Sequence, residues 1–302
     1  MASAYAAAKN GARVILAEDK PRFGGSLLTS DVSINNQSGK EWADNIITEL
    51  KGMTNVTVKN RAQIFGYYDH NMLVMSERVT DHLPKSEEFT PKQRLWYIRA
   101  KQVVISSGSI ERPIVFGNND TPGVVLASAA KEYMKVYGVL VGKKPIVFTN
   151  NDSAYETAIE FKKNNINPIV LDSRQDSNSE IVKEAKSLGI DIKFSHVVVA
   201  AKGYKKVKSC DIAEISEDKQ NLNQIKNIEC DCICVSGFWT PTIHLASQSG
   251  GKTKFKEEID AFVPDKSKQK EVTLGSANGI FTLEETLKTS FDKGFELSKE
   301  IT

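Results

Sequence analysis

Residues 1–26 read MASAYAAAKNGARVILAEDKPRFGGS. Alanine dominates residues 2–10 and predicts a helix, which Lys9, Asn10 and Gly11 stop. Residues 13–17 follow as a short apolar strand, Glu18 and Asp19 stand at its end, and Gly24, Gly25 and Ser26 come next. Helix, strand, terminal acid and paired glycine form the second half of a dinucleotide-binding βαβ unit. In such a unit the acid accepts from ribose hydroxyls, and glycine lets backbone approach the ligand. Taken singly, Glu18 and Asp19 equally describe a solvated strand end, and Gly24–Gly25 an ordinary turn. A complete unit has a strand and a glycine-rich turn before its first helix. This chain opens inside that helix, so strand and turn are expected upstream, with Met1 an internal methionine of a longer frame.

Moving outward, residues 42–51 carry Trp42, Ile46, Ile47 and Leu50 at helical spacing, and 56–58 return to strand. From residue 63 to 106 the pattern turns to β runs (64–68, 72–79, 95–99 and 103–106), an antiparallel meander inserted into a parallel sheet. A second βαβαβ alternation follows: helix 127–137, strand 144–148, helix 154–163, strand 168–171, helix 180–188 and strand 190–194. A hairpin region over 197–215 and a strand over 232–235 close that part. Residues 252–270 are polar and carry no clear element. The end of the chain reads as strand 271–274, turn 275–279 and helix 283–298. The fold class is therefore α/β, of the Rossmann type that glutathione-reductase-like flavoproteins build from two dinucleotide-binding domains, with an inserted antiparallel β meander. Residues 1–112 plus 237–302 are expected to form a discontinuous nucleotide-binding domain, with 113–236 a second Rossmann-like domain inserted in it.

Composition narrows the function. The 302 residues hold 40 Lys and Arg against 38 Asp and Glu, so no net field recruits nucleic acid or anionic lipid. No run of 18 apolar residues and no basic leader are present, which predicts no membrane span and a cytoplasmic location. The four cysteines are Cys210, Cys230, Cys232 and Cys234. Alternation along one strand predicts the last three thiols on one face, buried or half-buried rather than metal-bound. His70, His82, His196 and His244 are scattered, no catalytic triad or Cys-x-x-Cys pair can be drawn, and no catalytic or metal-ligating residue is assigned.

Two further motifs bear on a bound dinucleotide. Ser107 and Gly108 end a strand, and Glu111, Arg112 and Pro113 follow, a Ser-for-Ala, Ser-for-Thr version of the Ala-Thr-Gly strand end of two-domain flavoproteins. Gly275, Ser276 and Asn278 form a turn ahead of the last helix, whose N-terminus favours an anion. The second βαβ unit departs from the rule. Thr149, Asn151 and Ala154 occupy the glycine places, Asp152 would repel a pyrophosphate, and Asp172 follows the second strand. This unit reads as a scaffold that has lost nucleotide binding.

With these pieces placed, the chain resembles the alpha subunit of heterotetrameric sarcosine oxidase in its central nucleotide-binding region. The strings that carry the resemblance are Phe65 to Asn71 with Glu77 to Val79 and Asp81 to Leu83, Ile110 to Pro113, Phe148 to Tyr155, and a last block of Ser236, Gly237, Trp239 to Pro241, His244, Leu245 and Ser247 to Gly251. The resemblance implies a bacterial enzyme that oxidatively demethylates sarcosine to glycine, with O2 giving H2O2 and the methyl carbon leaving as formaldehyde or methylenetetrahydrofolate. It implies NAD in this subunit, FMN at the boundary with the beta subunit, FAD in the beta subunit, and tetrahydrofolate in a C-terminal domain beyond this chain. The partners implied are the beta, gamma and delta subunits. Carried over by motif, Glu18 and Asp19 would hold the adenosine ribose with Ser26 alongside, Ile64 would approach the adenine, and the 275–279 turn would approach the pyrophosphate. By itself the chain is expected to bind NAD poorly and to hold no amine-oxidising site. The alternatives are the alpha-type subunit of a related amine or opine dehydrogenase, a stand-alone NAD(P)H-dependent flavin reductase, and a scaffold with no ligand.

Overall fold

The computed structural model describes residues 1–216, 218 and 220–301. The chain divides into two compact units, Met1–Ile110 with Thr240–Thr302, and Glu111–Trp239. The first unit opens with helix α1 (Ala2–Lys9) and strand β1 (Val14–Ala17). A two-residue hairpin, β2 (Ser33–Ile34) and β3 (Gln37–Ser38), leads to helix α2 (Gly39–Gly52). This helix starts earlier than the apolar spacing predicts because Ser38 and Glu41 form a capping box. The Glu41 backbone N–H donates to Ser38 Oγ at 3.2 Å, and the Ser38 N–H donates to Glu41 Oε2 at 2.9 Å. Its apolar stripe, Trp42, Ala43, Ile46, Ile47 and Leu50, is buried with the alanines of α1. Strand β4 (Val56–Lys59) then pairs parallel with β1, from Val14 opposite Val56 to Ala17 opposite Lys59.

The meander is β5 (Ala62–Tyr68), β6 (Met72–Arg78) and β7 (Gln93–Arg99), antiparallel in that order. The β5–β6 turn places His70 and Asn71 at φ 60° and 53°, the left-handed region that Asn tolerates better than most residues. The buried Asn71 amide donates to the carbonyls of Lys101 and Lys270, and its oxygen accepts from Tyr67 Oη at 2.9 Å. One face of the meander is buried through Tyr67, Leu73 and Met75. On that face Glu77 accepts from Lys59 Nζ at 2.9 Å and Trp96 Nε1 at 2.7 Å. Strand β8 (Val103–Ile105) follows, and the chain leaves through β9 (Ser109–Glu111).

The second unit is a five-stranded parallel sheet in the order β10 (Val124–Leu126), β17 (Cys232–Ser236), β11 (Pro145–Thr149), β12 (Ile169–Asp172) and β13 (Asp191–Phe194). Strand β10 escapes sequence reading because only three residues pair, at the sheet edge. Helices α3 (Ala127–Tyr137), α4 (Tyr155–Lys163) and α5 (Glu180–Ser187) supply the core of one face, with Tyr155, Phe161 and Val182 fully buried against Val147 and Val170. The other face packs on an antiparallel sheet of β14 (His196–Lys202), β15 (Ser209–Glu214) and β16 (Lys226–Glu229), through Ile146, Phe148, Val198, Ile212 and Ile233.

This layering corrects the expectation for the cysteines. Cys232 and Cys234 do share one face, on the helix side, with sulfurs 3.6 Å apart. Cys230 does not: it lies with Cys210 in the opposite core. The reason is Asp231, whose carboxylate accepts from the backbone N–H groups of Lys143 and Lys144 at 2.9 and 2.8 Å. The strand therefore starts only at Cys232, while Cys230 is tied to the antiparallel sheet through its N–H to Lys208.

After β18 (Trp239–Pro241) the first unit closes with helix α6 (His244–Gln248), strands β19 (Lys252–Lys256) and β20 (Ala261–Lys266), strand β21 (Glu271–Thr273) and helix α7 (Leu283–Lys299). The polar 252–270 stretch is thus structured after all. Its hairpin buries Ala261 and Val263, while Phe255 and Phe262 pair across the strands with ring centroids 5.3 Å apart. So few buried apolar positions leave little periodicity to read. Strand β21 pairs parallel with β8. Helix α7 lies directly on α1 at Gly294, where a side chain would meet the Ser3 backbone. Asn10 Nδ2 donates to Ser298 Oγ at 2.8 Å along the same contact.

Candidate nucleotide-binding site

In the first unit the residues singled out above fall into two groups. The first is on β1 and the loop after it. The Glu18 N–H donates to the Lys59 carbonyl and the Glu18 carbonyl accepts from Ala62, so the β1 and β4 ends hold this residue rigidly. Its half-buried carboxylate accepts from the Lys20 N–H at 3.1 Å. Burial, and then the hydrogen bond with exposed Asp19, push the Glu18 carboxyl up to about 7. Gly24 and Gly25 both have positive φ, at 130° and 53°. They serve different ends. A Cβ on Gly24 would press on the Leu28 side chain at 2.9 Å and touch Ala43 of α2, so this glycine faces the packed interior, and its φ of 130° disfavours any side chain. A Cβ added to Gly25 would meet nothing within 4 Å, and Ser26 beside it is exposed. Ile64 packs its half-buried side chain against the Tyr67, Leu73, Ile105 and Ala246 cluster.

The second group arises because β8 and β21 are parallel neighbours, so their C-terminal ends emerge side by side. Ser107 Oγ donates to the Thr242 carbonyl at 2.6 Å, and the Gly108 carbonyl accepts from the Thr242 N–H at 2.9 Å. The Gly275–Asn278 turn is a single 3₁₀ turn with Gly275 at φ 66°, and a Cβ on Gly108 would lie 4.0 Å from Ser276 Oγ. Asn278 is half-buried in the same turn. Helix α7 begins separately at Leu283 and carries Glu284 and Glu285 in its first turn, which oppose an anion there. The anion-favouring helix end expected after this turn is therefore not supplied by α7.

These residues fit the ribose end of a dinucleotide: a carboxylate acceptor fixed at a strand end, beside an unobstructed glycine. Two surface depressions, one along α5 at Glu180, Ile181 and Glu184 and one on the outer face of the meander, contain none of them. Among the described residues no three His, Cys, Asp or Glu side chains gather as a metal site, and no helix is long and apolar enough to cross a membrane.

In the second unit the corresponding positions are filled by the chain itself. Asn151 Oδ1 accepts from the Ser153 N–H at 3.0 Å and from Ser153 Oγ at 2.6 Å, and Asn151 Nδ2 donates to the Ser236 carbonyl. Trp239 Nε1 donates to Ser153 Oγ from outside at 3.0 Å. Asp172, where a ribose acid would stand, is fully buried and accepts from Tyr155 Oη at 2.8 Å and from Arg174. Arg174 also reaches Asp152 at 2.7 Å. Sequence reading missed Arg174, and named Trp239 within the resemblance without a role. The available signal for Arg174 was an arginine two places after a strand-end aspartate.

The fold is that of the FAD/NAD(P)-binding flavoprotein oxidoreductases. The crystal structure of thioredoxin reductase from T. acidophilum matches 99% of this chain and 94% of its own, with a TM-score of 0.74 at 15% identity. That of L-proline dehydrogenase from P. horikoshii matches 99% of this chain and 53% of its own, with a TM-score of 0.67 at 20% identity. No family model matches the chain. In sequence it is similar to sarcosine oxidase subunit alpha. It is 35% identical to that of Corynebacterium sp. (strain P-1) over 293 residues, 96% of this chain. It is 34% identical to that of Rhizobium meliloti (strain 1021) over 279 residues, 92% of this chain. The chain spans 30% and 27% of the length of these two relatives.

Proposed function

We propose that this chain is the nucleotide-binding portion of the alpha subunit of a heterotetrameric sarcosine oxidase. The observation that carries the reading is the 35% identity with such a subunit along 96% of the chain. On this reading the first unit holds NAD, with Glu18 and Asp19 accepting from the adenosine ribose and Gly25 and Ser26 beside them. NAD would supply no residue-bound step here. Glu18 and Asp19 would hold its ribose, and the turn ends at Gly108 and Gly275–Asn278 are the residues that would approach its pyrophosphate. Amine oxidation would belong to the beta subunit, where bound FAD would supply the two-electron oxidation chemistry, with FMN held at the subunit boundary. Hydrolysis of the resulting imine gives glycine and formaldehyde, or the carbon passes to tetrahydrofolate, while O2 is reduced to H2O2. The gamma and delta subunits complete the assembly.

The test is purification of the protein from its source in its native assembly, followed by measurement of sarcosine-dependent O2 uptake and of nucleotide released by acid. Sarcosine turnover with H2O2 formation, and NAD in the extract, are expected. Turnover of another secondary amine with none of sarcosine would move the chain to a related amine dehydrogenase. Absence of any dinucleotide would overturn the reading of the site.

A further inference from the structure

The outer face of the β5–β6–β7 meander breaks the usual rule for a sheet with one buried side, whose solvent face should be polar. Glu77 and Trp96 turn inward together, and Met72 and Arg99 meet outside, where Arg99 Nη2 contacts the Met72 sulfur at 3.5 Å. The alternation therefore puts Phe65, Tyr68, Met72, Val74, Leu95 and Tyr97 outward. Phe65, Tyr68 and Leu95 are about half exposed and Tyr97 is 67% exposed. These side chains line a shallow groove of about 540 Å³ with Val74 as its floor. A contiguous apolar patch of this kind on a sheet face marks a surface that another molecule covers.

The outward strand positions carry charge of one sign only, and at the Arg78 end the Asp81 carboxylate is taken up by Gln93 Nε2 at 2.9 Å. Arg78 stands opposite Gln93 at one end of the face, and Arg99 stands opposite Met72 at the other, roughly 20 Å apart for a six-residue strand interval. Among the described residues neither arginine forms an ion pair, and no outward strand position is acidic. Asp69, at the rim, is engaged by Lys268 at 3.9 Å and by Gln269 Nε2 at 3.0 Å. An apolar floor between two guanidinium groups matches an apolar segment flanked by carboxylates, because arginine pairs bidentately with carboxylate.

We propose that the outer face of the meander docks a segment of a partner polypeptide that carries aliphatic or aromatic side chains between acidic residues. This surface is separate from the nucleotide-binding residues, so it stands or falls independently of the proposed function.

The test uses the full chain and a fluorescein-labelled peptide, Glu-Glu-Leu-Phe-Gly-Leu-Val-Glu-Glu, followed by anisotropy, with a second peptide in which lysine replaces every glutamate. The glutamate peptide is expected to bind about tenfold more tightly than the lysine peptide, with the difference shrinking as salt rises. Replacing both arginines, Arg78→Gln with Arg99→Gln, should abolish the difference between peptides. Tyr97→Ser should weaken the glutamate peptide by about tenfold. The circular dichroism of both variants checks that they are folded, and because the arginines are exposed, that pair remains informative if Tyr97→Ser is not. No binding of the glutamate peptide, equal binding of the two peptides, or indifference to the arginines overturns the proposal. So does tighter retention on phosphatidylserine vesicles than on the peptide, or a dimer in sedimentation that Tyr97→Ser dissolves, since these identify a membrane or a second copy as the occupant.

Discussion

Asp172 and Arg174 are joined through backbone and side chain together. Asp172 Oδ1 accepts from the Arg174 N–H at 3.0 Å, and its Oδ2 accepts from Arg174 Nη2 at 2.7 Å. The aspartate has no solvent exposure, so the guanidinium is what makes its charge tolerable in the second unit. Arg174→Met should therefore cost about 3 kcal/mol of stability, as breaking one side of a buried pair does. Adding Asp172→Asn should restore part of the loss. Urea unfolding of the two variants measures both effects, and a single variant as stable as the parent would refute the account.

Glu18 gives the first unit a pH dependence of identifiable sign. Its ordinary value is 4.5 and burial, with Asp19 next, raises it to about 7 in the folded chain. Between these values the folded state holds the proton more tightly than the unfolded state. Its contribution is fully present below about 4.5 and is lost as pH rises through 7. Glu18→Gln should flatten the stability profile over that window. Urea midpoints at several pH values test this, and parallel profiles for the two proteins would show that Glu18 titrates normally.

Gly294 is a helix-interior glycine at which alanine, ordinarily the better helix former, should be harmful. An added methyl carbon would lie 2.3 Å from the Ser3 carbonyl oxygen and 2.7 Å from its Cα, both backbone atoms that cannot swing aside. Gly294→Ala should lower stability by roughly 2 kcal/mol by forcing α1 and α7 apart. A thermal melt is sufficient, and an unchanged or raised melting temperature would contradict the contact.

All four thiols are buried, with Cys210, Cys232 and Cys234 at 0% exposure and Cys230 at 1%. None should react with Ellman's reagent in the native protein, and all four should react once it is unfolded. A thiol that reacts at native rates would place it outside the packed cores described above.

The alternation of strand and helix was legible because apolar residues at periods of two and of 3.6 mark buried faces, as in α2 and in the all-buried β11. The hairpin of residues 252–266 was not, since only Ala261 and Val263 among its strand residues are buried. Strand β10 was hidden by its length. The position of Cys230 depends on where Asp231 sends its carboxylate, a tertiary fact that alternation cannot contain. In the candidate site, Glu18 could be named from its place after β1. Sequence could not divide the work of Gly24 and Gly25, because Gly24 answers to Leu28 and Ala43 across the fold, whereas Gly25 faces open space.

The Asn151 side chain also bears on how this protein can change. It satisfies Ser153, Ser236 and its own turn together, and Trp239 leans on the same serine. Replacing Asn151 by glycine alone would open the loop but deprive several buried polar groups of partners, and removing Trp239 alone would leave Ser153 still held. Each single step toward an open loop lowers stability before any ligand could compensate. A lineage that entered this arrangement would need concerted substitutions to leave it, so the two α/β units, alike in plan, are unequal in the mutational routes open to them.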